Sequence, residues 1–390
     1  MGLFPRMDAA SAPTIRAEPA AVQTSPRRGS RCYVAPSRAA PGSPRTTPFR
    51  IATFAHDPEL APMSDSKLPA AAKVFAPSAA AGCCGPAALP SDIDAAVAER
   101  YSRSAREATP QLCAIADGGP DPALLAAIPA DVVAKDYGCG NPTVHVREGE
   151  TVLDLGSGSG KACFVAAQIV GPRGRVLGVD RNDDMLALAR GAQPQVAARI
   201  GFDNVRFLKA RIEDLALDRD ALDRHLAQHP VRDEAGFAEL ERWMAEQRAT
   251  APLVPSGSVD VIISNCVLNL VLHDSKRRLF AEIARVLRPG GRAIISDIVS
   301  DMDVPEHLQR DPALWTSCAS GALREDRFLR AFEEAGLSRV ELLARAAQPW
   351  QVVDGVAFRS VTVRAVKPPA RTEPFLVASE TSCCGSESCC

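Results

Sequence analysis

Two kinds of residue in this chain could do chemistry: a glycine loop flanked by acids, and a set of isolated cysteines. Residues 151–160 form an apolar run that ends in Asp154 and then places a glycine at every second position, at Gly156, Gly158 and Gly160. Glycine is needed where a ligand lies against bare backbone and where a strand turns sharply into a helix. Asp180 ends the next apolar run, placed like the carboxylate that bonds ribose hydroxyls in nucleotide-binding sheets. The G-x-G-x-G spacing argues against a dinucleotide, and Asp154 could hold a cationic amino-acid group.

Two cysteines stand where a thiol could act on a ligand. Cys139 lies between two glycines in a tight turn, residues 136–142, just before the first strand. Cys266 follows an apolar run, at the carboxyl end where open parallel sheets bind ligands. Cys318 and Cys113 are isolated. Because free cysteine is often a buried core residue, we assign that role to Cys163 and none to Cys32.

Composition excludes several classes of protein. Of the 390 residues, 46% are hydrophobic and 24% charged, with a formal net charge of -2, which is globular and gives no reason to expect nucleic acid. No apolar run approaches the ~20 residues that span a bilayer, so we expect a soluble protein and no membrane partner. Twelve cysteines without C-x-x-C spacing predict reduced thiols, with neither a disulfide scaffold nor a structural zinc. A cytoplasmic monomer is the expectation.

Alternating strands and helices must position these residues. The pattern predicts strands at 151–156, 175–180, 204–208, 258–264 and 291–297, helices between the first three, and a helix at about 275–287. A helix at about 325–335 and strands near 338–343 and 356–366 follow. This order predicts an α/β fold with a doubly wound, mostly parallel sheet. Residues 287–291 are interpreted as a helix stop and turn.

The flanking segments differ from this core. Residues 1–75 are rich in Pro, Ala, Ser and Arg, which indicates a disordered tail or a translation start at Met63; the alternative is an organelle transit peptide. We expect a cap at 76–147, the core at 148–300 with a surface insertion at 216–255 and a C-terminal segment at 301–367. A flexible tail at 368–390 ends in paired cysteines, for which metalloid capture and no role are both open.

Four fragments together resemble arsenite S-adenosylmethionine (SAM) methyltransferases: residues 137–140, 153–160, 264–270 and 314–323. The glycine fragment by itself is similar to motif I of SAM-dependent methyltransferases. The resemblance spans roughly residues 95 to 366. It implies a Rossmann-like class I methyltransferase fold, with an N-terminal lid segment and a small C-terminal extension. The insertion at 216–255 and the absence of a longer C-terminal domain depart from the family pattern.

The resemblance also implies roles for single residues. Cys266 and Cys318 match the two thiolates that hold arsenic, Cys139 matches the lid cysteine that completes the site, and Cys113 matches the cysteine that pairs with Cys139 as a disulfide during the redox steps. A thiol reductant, glutathione or thioredoxin, would restore the thiols. The positions implied in SAM binding are Tyr137, Gly140, Asp154, Gly156, Gly158, Gly160, Asp180, Ile212, Glu213 and Asn265.

The chemistry of trivalent arsenic suits thiols. Arsenic(III) is soft and should prefer thiolates, and its lone pair can attack a sulfonium methyl group without a general base. Catalysis would then rest on positioning and exclusion of water. We therefore expect methylation of arsenite, serving arsenic detoxification. Two rivals remain: methylation of an organic small molecule, and metalloid binding without turnover. Asp154, Asp180 and the glycine loop argue against the second, which has no need of them.

Overall fold

The computed structural model describes residues 90–108 and 119–369. All of these lie in one compact unit, Ser78–Cys390. The expectations for residues 1–75, for Cys113 and for the paired cysteines of the tail fall outside the described residues. In the described part of the chain, no helix combines the length and the apolar character needed to cross a bilayer.

A single sheet runs through the described residues. Its strands are β1 Thr151–Leu155, β2 Arg175–Asp180, β3 Val205–Lys209, β4 Val259–Asn265, β5 Leu287–Ser300, β6 Leu323–Arg324, β7 Ser338–Arg345, β8 Gln351–Val353 and β9 Val356–Val366. Their order is β3-β2-β1-β4-β5-β9-β7, with β6 paired to β5 and β8 to β9. Strands β1 to β6 pair in parallel, whereas β9 is antiparallel to its neighbours.

Helices connect the strands and cover both faces of the sheet. They are α1 Pro90–Arg106, α2 Pro122–Leu125, α3 Ala130–Ala134, α4 Lys161–Val170, α5 Asp183–Ile200, α6 Arg219–Gln228, α7 Glu234–Thr250, α8 His273–Val286, α9 Glu306–Gln309, α10 Pro312–Thr316 and α11 Glu325–Glu334. Short 3-10 helices follow at Pro142–His145 and Leu268–Leu270. Local chemistry sets the helix starts: the Asn182 side chain accepts a hydrogen bond from the Met185 N–H, 3.0 Å away, and so caps α5.

The core has two halves, one on each side of the sheet. Leu153 and Leu155 pack into the half that includes α8 and α11, and Val152 packs into the half that includes α4 and α5. This alternation follows from the strand period of two. Because both faces are covered, the central strands are apolar almost throughout, as parallel sheets require.

The predicted α/β fold class is confirmed, and the predicted strands lie within a residue or two of the observed ones except at β5. Residues 287–291 were expected to form a turn, but they belong to β5. Leu287 pairs with Val259, and the Gly290 N–H donates to the Lys367 carbonyl. Gly290 has a φ of 79°, so a left-handed residue bends the strand without ending it.

Candidate functional site

The glycine loop joins β1 to α4 and forms one wall of a cleft. Gly156 and Gly158 have φ values of 71° and 50°, which glycine adopts without strain. A Cβ on Gly156 would lie 2.4 Å from the Val267 side chain, whereas one on Gly158 would meet nothing within 4 Å. The Gly158 N–H donates to Asp180 Oδ2 over 2.9 Å. The loop therefore presents bare backbone beside a carboxylate.

The cleft comprises about 780 Å³ of space, part of it open to solvent. Five of the predicted cofactor-binding residues line it: Gly156, Gly158, Asp180, Ile212 and Glu213. Apolar side chains from α1, Val97 and Tyr101, form another part of the lining. The cleft thus offers one polar end at the carboxyl ends of β1 and β2 and a wide apolar surface.

Asp154 lies under the glycine loop and not in the cleft lining. Its carboxylate accepts a hydrogen bond from the Cys163 thiol over 3.2 Å, and the residue is 2% exposed. Burial raises the pKa of Asp154 to about 7; the bond from Cys163 opposes the rise, and the charges of Asp136 and Asp180 add to it. Burial likewise raises the pKa of Asp180, opposed by backbone donors that include the Asn182 and Gly158 N–H groups. The loop therefore collects negative charge that a cationic ligand would offset.

Helix α1 covers the cleft and is fastened there by ion pairs that the sequence did not reveal. Asp94 accepts from Arg181 Nη1 over 2.8 Å and from Arg211 Nη2, and Arg211 Nη1 donates to Glu213 over 3.0 Å. Arg181 Nη2 also bonds the Asp94 carbonyl over 2.9 Å. Arg181 and Arg211 lie 87 and 117 positions from Asp94, so no local pattern in the sequence indicates these pairings.

The Gly-Cys-Gly turn is bound to the end of β4. Asn265 Oδ1 accepts from the N–H groups of Cys139 (2.7 Å) and Gly140 (2.9 Å), and Asn265 Nδ2 donates to the Gly140 carbonyl over 2.7 Å. A Cβ on Gly138 would lie 2.0 Å from Asn265 Nδ2, and one on Gly140 would lie 2.4 Å from Ser296 Oγ. Both glycines are therefore required by close packing. Tyr137 donates to the Ser104 carbonyl over 3.2 Å.

Tyr137, Gly140 and Asn265 thus hold the cysteine turn in place and do not line the cleft; their assignment to the cofactor stays a prediction. The same holds for Gly160, whose Cβ would lie 2.8 Å from the Phe207 ring. It begins α4 with a φ of 88°. Its role in the described structure is to bring the helix close to the sheet.

Three cysteines meet beside the cleft. Cys139 and Cys266 form a disulfide with a Cα–Cα distance of 5.8 Å, and the Cys318 thiol donates to the Cys266 carbonyl over 3.3 Å. All three are at most 4% exposed. Cys113 was the expected disulfide partner of Cys139, but it lies outside the described residues, and in this structure the partner is Cys266. The fold therefore brings together, from three distant segments, the thiols that the sequence singled out.

Cys266 and Cys318 share an unusual backbone. Their φ values are 61° and 67°, in the left-handed region, which side chains other than glycine rarely adopt. Such residues persist where the surroundings impose them, often at functional sites. Here the Cys266 N–H is held by the Ser296 carbonyl and the Cys318 N–H by the Trp315 carbonyl.

A buried acid and a buried lysine stand next to these thiols, and the sequence analysis gave neither a role. A carboxylate oxygen of Asp297 and the sulfurs of Cys266 and Cys318 all lie within 4.8 Å of one another. Burial raises the pKa of Asp297 to about 6, opposed by backbone donors and by Lys276. Burial lowers the pKa of Lys276 to about 8, opposed by Asp297, Cys318 and Glu213. Asp297 could have been found, because β5 runs parallel to β4 and ends at the same edge.

Comparisons with known proteins find a methyltransferase domain and relatives that are arsenite methyltransferases. Residues 146–336 match the family model described as a methyltransferase domain. The arsenite methyltransferase of Halobacterium salinarum is 37% identical over 248 residues, 61% of this chain and 52% of that protein. The arsenite methyltransferase of Aquipseudomonas alcaligenes is 35% identical over 231 residues, 59% of this chain and 56% of that protein.

A crystal structure shows the same likeness over a larger share of the relative. An arsenic(III) S-adenosylmethionine methyltransferase from Chlamydomonas reinhardtii is 31% identical, and the match covers 65% of this chain and 77% of that chain, with a TM-score of 0.48. The chain carries a methyltransferase domain that is similar to arsenite methyltransferases. It spans about half the length of the curated relatives it matches.

These similarities confirm the resemblance that the four fragments indicated. The matched methyltransferase domain, residues 146–336, contains the glycine loop, Asp180, Cys266 and Cys318. Cys139 precedes it. The arsenite methyltransferase fragments therefore lie mostly inside the shared domain, and the cap with the Gly-Cys-Gly turn is added to it.

Proposed function

We propose that this protein transfers a methyl group from SAM to trivalent arsenic held by cysteine thiolates. The observation that carries the proposal is the meeting of Cys139, Cys266 and Cys318 in one buried cluster beside the cleft. The two sites adjoin through the turn after β4, because Val267 and Leu270 line the cleft and Leu270 also packs against the cysteine cluster.

The cleft suits SAM on the chemistry of its lining. Gly158 leaves open space where a ligand can lie against the backbone, Asp180 offers a carboxylate to ribose hydroxyls, and Ile212 and Val97 offer apolar contact to an adenine ring. The negative charge under the loop, at Asp154, favours an ammonium group. When bound, SAM supplies an electrophilic methyl group on a sulfonium.

The cysteines would supply positioning and electrons. Trivalent arsenic is soft and binds thiolates, and three of them leave its lone pair pointing away from the sulfurs. Their burial excludes water, and no general base is required, since the lone pair is the nucleophile. This fits the described residues around the thiols, where the ionisable groups are Asp297 and Lys276.

The disulfide fits the electron balance of the reaction. Transfer of a methyl cation to the arsenic lone pair leaves pentavalent arsenic, and two thiolates can return it to the trivalent state by giving two electrons and forming one disulfide. We infer that Cys139–Cys266 is that oxidised pair. A dithiol or two small thiols, of the glutathione or thioredoxin kind, must then reduce it before arsenite binds again.

The test resolves arsenic species by chromatography with mass detection, after incubation of the protein with arsenite, SAM and dithiothreitol. We expect methylated arsenic with the unchanged chain and a loss of at least about a hundredfold with Cys318→Ser, because one ligand is gone. Cys163→Ser, which changes another buried thiol and keeps a donor to Asp154, should stay within a few fold of the unchanged chain.

Three outcomes would contradict the proposal. Full activity of Cys318→Ser towards arsenite would remove the thiolate site from the mechanism. Tight, stoichiometric arsenite binding that does not depend on SAM, without any methylated product, would indicate a metalloid-binding protein. SAM binding without arsenite binding would direct the search to organic acceptors.

A further inference from the structure

A serine of the last long strand holds the Gly-Cys-Gly turn, and neither end of this contact belongs to the matched methyltransferase domain. Ser360, in β9, donates its hydroxyl hydrogen to the Cys139 carbonyl over 2.9 Å, and the residue is 1% exposed. The turn precedes the matched residues 146–336, and β9 follows them. Among the described residues, none of β9 lines the cleft. The contact therefore acts on the cysteine turn and not on the cofactor cleft.

The turn is bound by two strands of the sheet. Asn265, the last residue of β4, accepts hydrogen bonds from the N–H groups of Cys139 and Gly140. From β9, Ser360 bonds the Cys139 carbonyl, and a Cβ on Gly140 would lie 3.2 Å from Thr362 Oγ1. Polar contacts from both strands thus keep the turn closed.

This enclosure keeps small thiols away from the disulfide. Residues 138–143 are all buried, and Cys139 and Cys266 are 0% and 4% exposed. Disulfide reduction requires that a thiolate reach one of the two sulfurs, so its rate depends on access. A thiol in the solvent can therefore reduce this bond only after the turn has moved.

Building on the proposed function, in which this disulfide is reduced in every cycle, we propose that Ser360 controls the access of the reductant. Its hydrogen bond to the Cys139 carbonyl keeps the turn closed over the disulfide. Reduction takes place in the fraction of molecules in which this bond is broken and the turn has moved away from β9. Ser360 is thus a positioning residue, which acts on the disulfide through the turn.

Dithiothreitol serves as the probe of the open turn. One of its thiolates attacks a sulfur of the disulfide, the S–S bond breaks, a mixed disulfide forms, and the other cysteine leaves as a thiolate. The second thiolate of dithiothreitol attacks the mixed disulfide, closes a ring and releases the second cysteine. Two electrons pass to the protein, and the two cysteines take up the protons that the dithiol lost. Where this rate is proportional to the dithiothreitol concentration, it reports the population of the open turn.

The test mixes the oxidised full-length chain with dithiothreitol, without arsenite or SAM. The reaction is quenched with iodoacetamide at a series of times, and peptide mass analysis gives the alkylated fractions of Cys139 and Cys266. We expect Ser360→Ala to be reduced roughly threefold to tenfold faster than the unchanged chain, the range for the loss of one buried hydrogen bond. Ser338→Ala removes a hydroxyl that bonds the Val366 carbonyl at the other end of β9 over 3.3 Å, and its rate should stay within about twofold of the unchanged chain.

The matched serine separates control of access from a general loss of stability. Equal acceleration by Ser338→Ala and Ser360→Ala would show that reduction follows general loosening of the sheet, and it would overturn the inference. A rate for Ser360→Ala that is within about twofold of the unchanged chain, or slower, would overturn it as well. Because the assay contains neither arsenite nor SAM, these results leave methyl transfer untouched. Failure of the reduced, unchanged chain to methylate arsenite would instead overturn the proposed function alone.

A second measurement uses the unchanged chain and does not depend on the folding of a variant. Hydrogen exchange, followed by NMR in the oxidised protein, is compared between the Cys139 and Gly140 amides and the Val363 amide in the middle of β9. We expect the two turn amides to exchange faster than Val363, because the turn opens while the sheet stays intact. Exchange of all three amides at one common rate would show that the turn opens only with the sheet, which would contradict the inference.

Discussion

At the scale of single residues, two cysteines of the candidate site, Cys266 and Cys318, have left-handed backbone conformations that cysteine rarely adopts. Cys318 has a φ of 67°, where a Cβ crowds the following carbonyl at a cost of about 1–2 kcal/mol. Glycine pays no such cost. The position therefore keeps a thiol at the expense of stability, which is expected of a functional residue.

This conformation can be tested by comparing two substitutions that both remove the thiol. We expect Cys318→Gly to unfold at the same temperature as Cys318→Ala or a few degrees higher, because relief of the left-handed strain offsets the greater chain entropy of glycine. Thermal unfolding by circular dichroism measures the difference. The opposite order, with alanine clearly more stable, would contradict the strained backbone.

The buried acid Asp154 predicts a pH dependence of stability. Its pKa is raised from 3.8 to about 7 by burial, so between these values the folded state binds more protons than the unfolded state. The free energy of unfolding therefore falls as the pH rises through this window, by on the order of 2 kcal/mol or more for this group. Asp154→Asn, which cannot ionise, should gain stability over the unchanged ligand-free chain between pH 5 and pH 8.

Urea unfolding at both pH values measures this gain. Asp297 also titrates in the window, but it does so in both proteins and cancels in the difference. A stability difference between Asp154→Asn and the unchanged chain that is the same at pH 5 and pH 8 would show that the Asp154 pKa is not raised.

For single residues, the sequence was most informative where the position of a residue in the predicted sheet indicates that its side chain lies at the ligand-binding edge. Cys266 and Asp180 could be placed because each ends a parallel strand, at the edge where ligands bind. Asp297 lies in β5 directly after Ser296, which pairs with Asn265 at the end of β4, so it is at the same edge and was missed. The Cys139–Cys266 bond could not be predicted, because the two are 127 positions apart and nothing local records the pairing.

At the scale of elements, α1 connects the two sites. Its Ile93 and Val97 pack against Trp315 of α10, three residues before Cys318 in the chain, and Val97 also lines the cleft. The ion pairs of Asp94 with Arg181 and Arg211 hold this helix in place. Movement of α1 therefore changes the cleft and the surroundings of Cys318 together.

Removing the Asp94 ion pairs should weaken cofactor binding. We expect Asp94→Ala to raise the dissociation constant for SAM by about tenfold, because two partly buried arginines lose their partner and the helix is less firmly placed. Titration calorimetry measures the affinity. Glu99→Ala, on the same helix, breaks an exposed pair with Arg103 and should have no effect. Equal effects of the two substitutions on the SAM affinity would contradict the role of the Asp94 ion pairs in positioning α1.

The insertion forms a hairpin of helices that can be removed. Its ends are joined by hydrogen bonds from the Leu253 N–H to the Ala216 carbonyl (2.9 Å) and from the Val254 N–H to the Leu215 carbonyl (3.0 Å). Helix α7 has no buried residue, and α6 buries Leu222. The core therefore depends little on these helices.

Replacing residues 219–250 by a short Gly-Ser linker should leave SAM affinity within about threefold, because the linker has only to join ends that already meet. The melting temperature should fall by a few degrees for the loss of Leu222 and of ion pairs such as Arg248 with Asp214. Calorimetric titration and a thermal scan measure the two effects. Loss of SAM binding in a folded variant would show that the insertion supports the cleft.

Elements were predicted well where their periodicity is strong. The strands from 151 to 180 were found because apolar spacing differs between strand and helix. The extent of β5 could not be read from residues 287–291, since Pro and two glycines are typical of a turn. Pairing with β4 and β9 overrides that preference.

At the scale of the whole molecule, the glycine loop and the cysteine cluster both lie at the carboxyl edge of the parallel part of the sheet. Strands β1 and β2 end at the glycine loop and Asp180. Cys266 directly follows β4, and Asp297 lies near it in β5, which continues to Ser300. Cys139 and Cys318 are added from segments before and after the sheet. The fold therefore places a buried cluster of thiols next to the cleft that the glycine loop lines.

The most direct measurement of this arrangement is a single turnover with SAM that carries a deuterated methyl group. Reduced protein is loaded with one equivalent of arsenite, mixed with the labelled SAM, and quenched for mass analysis of the arsenic species. We expect the label on arsenic in the unchanged chain and none in Cys266→Ser. Label on arsenic in Cys266→Ser at the same rate, or no label on arsenic in the unchanged chain, would contradict methyl transfer to thiolate-bound arsenic.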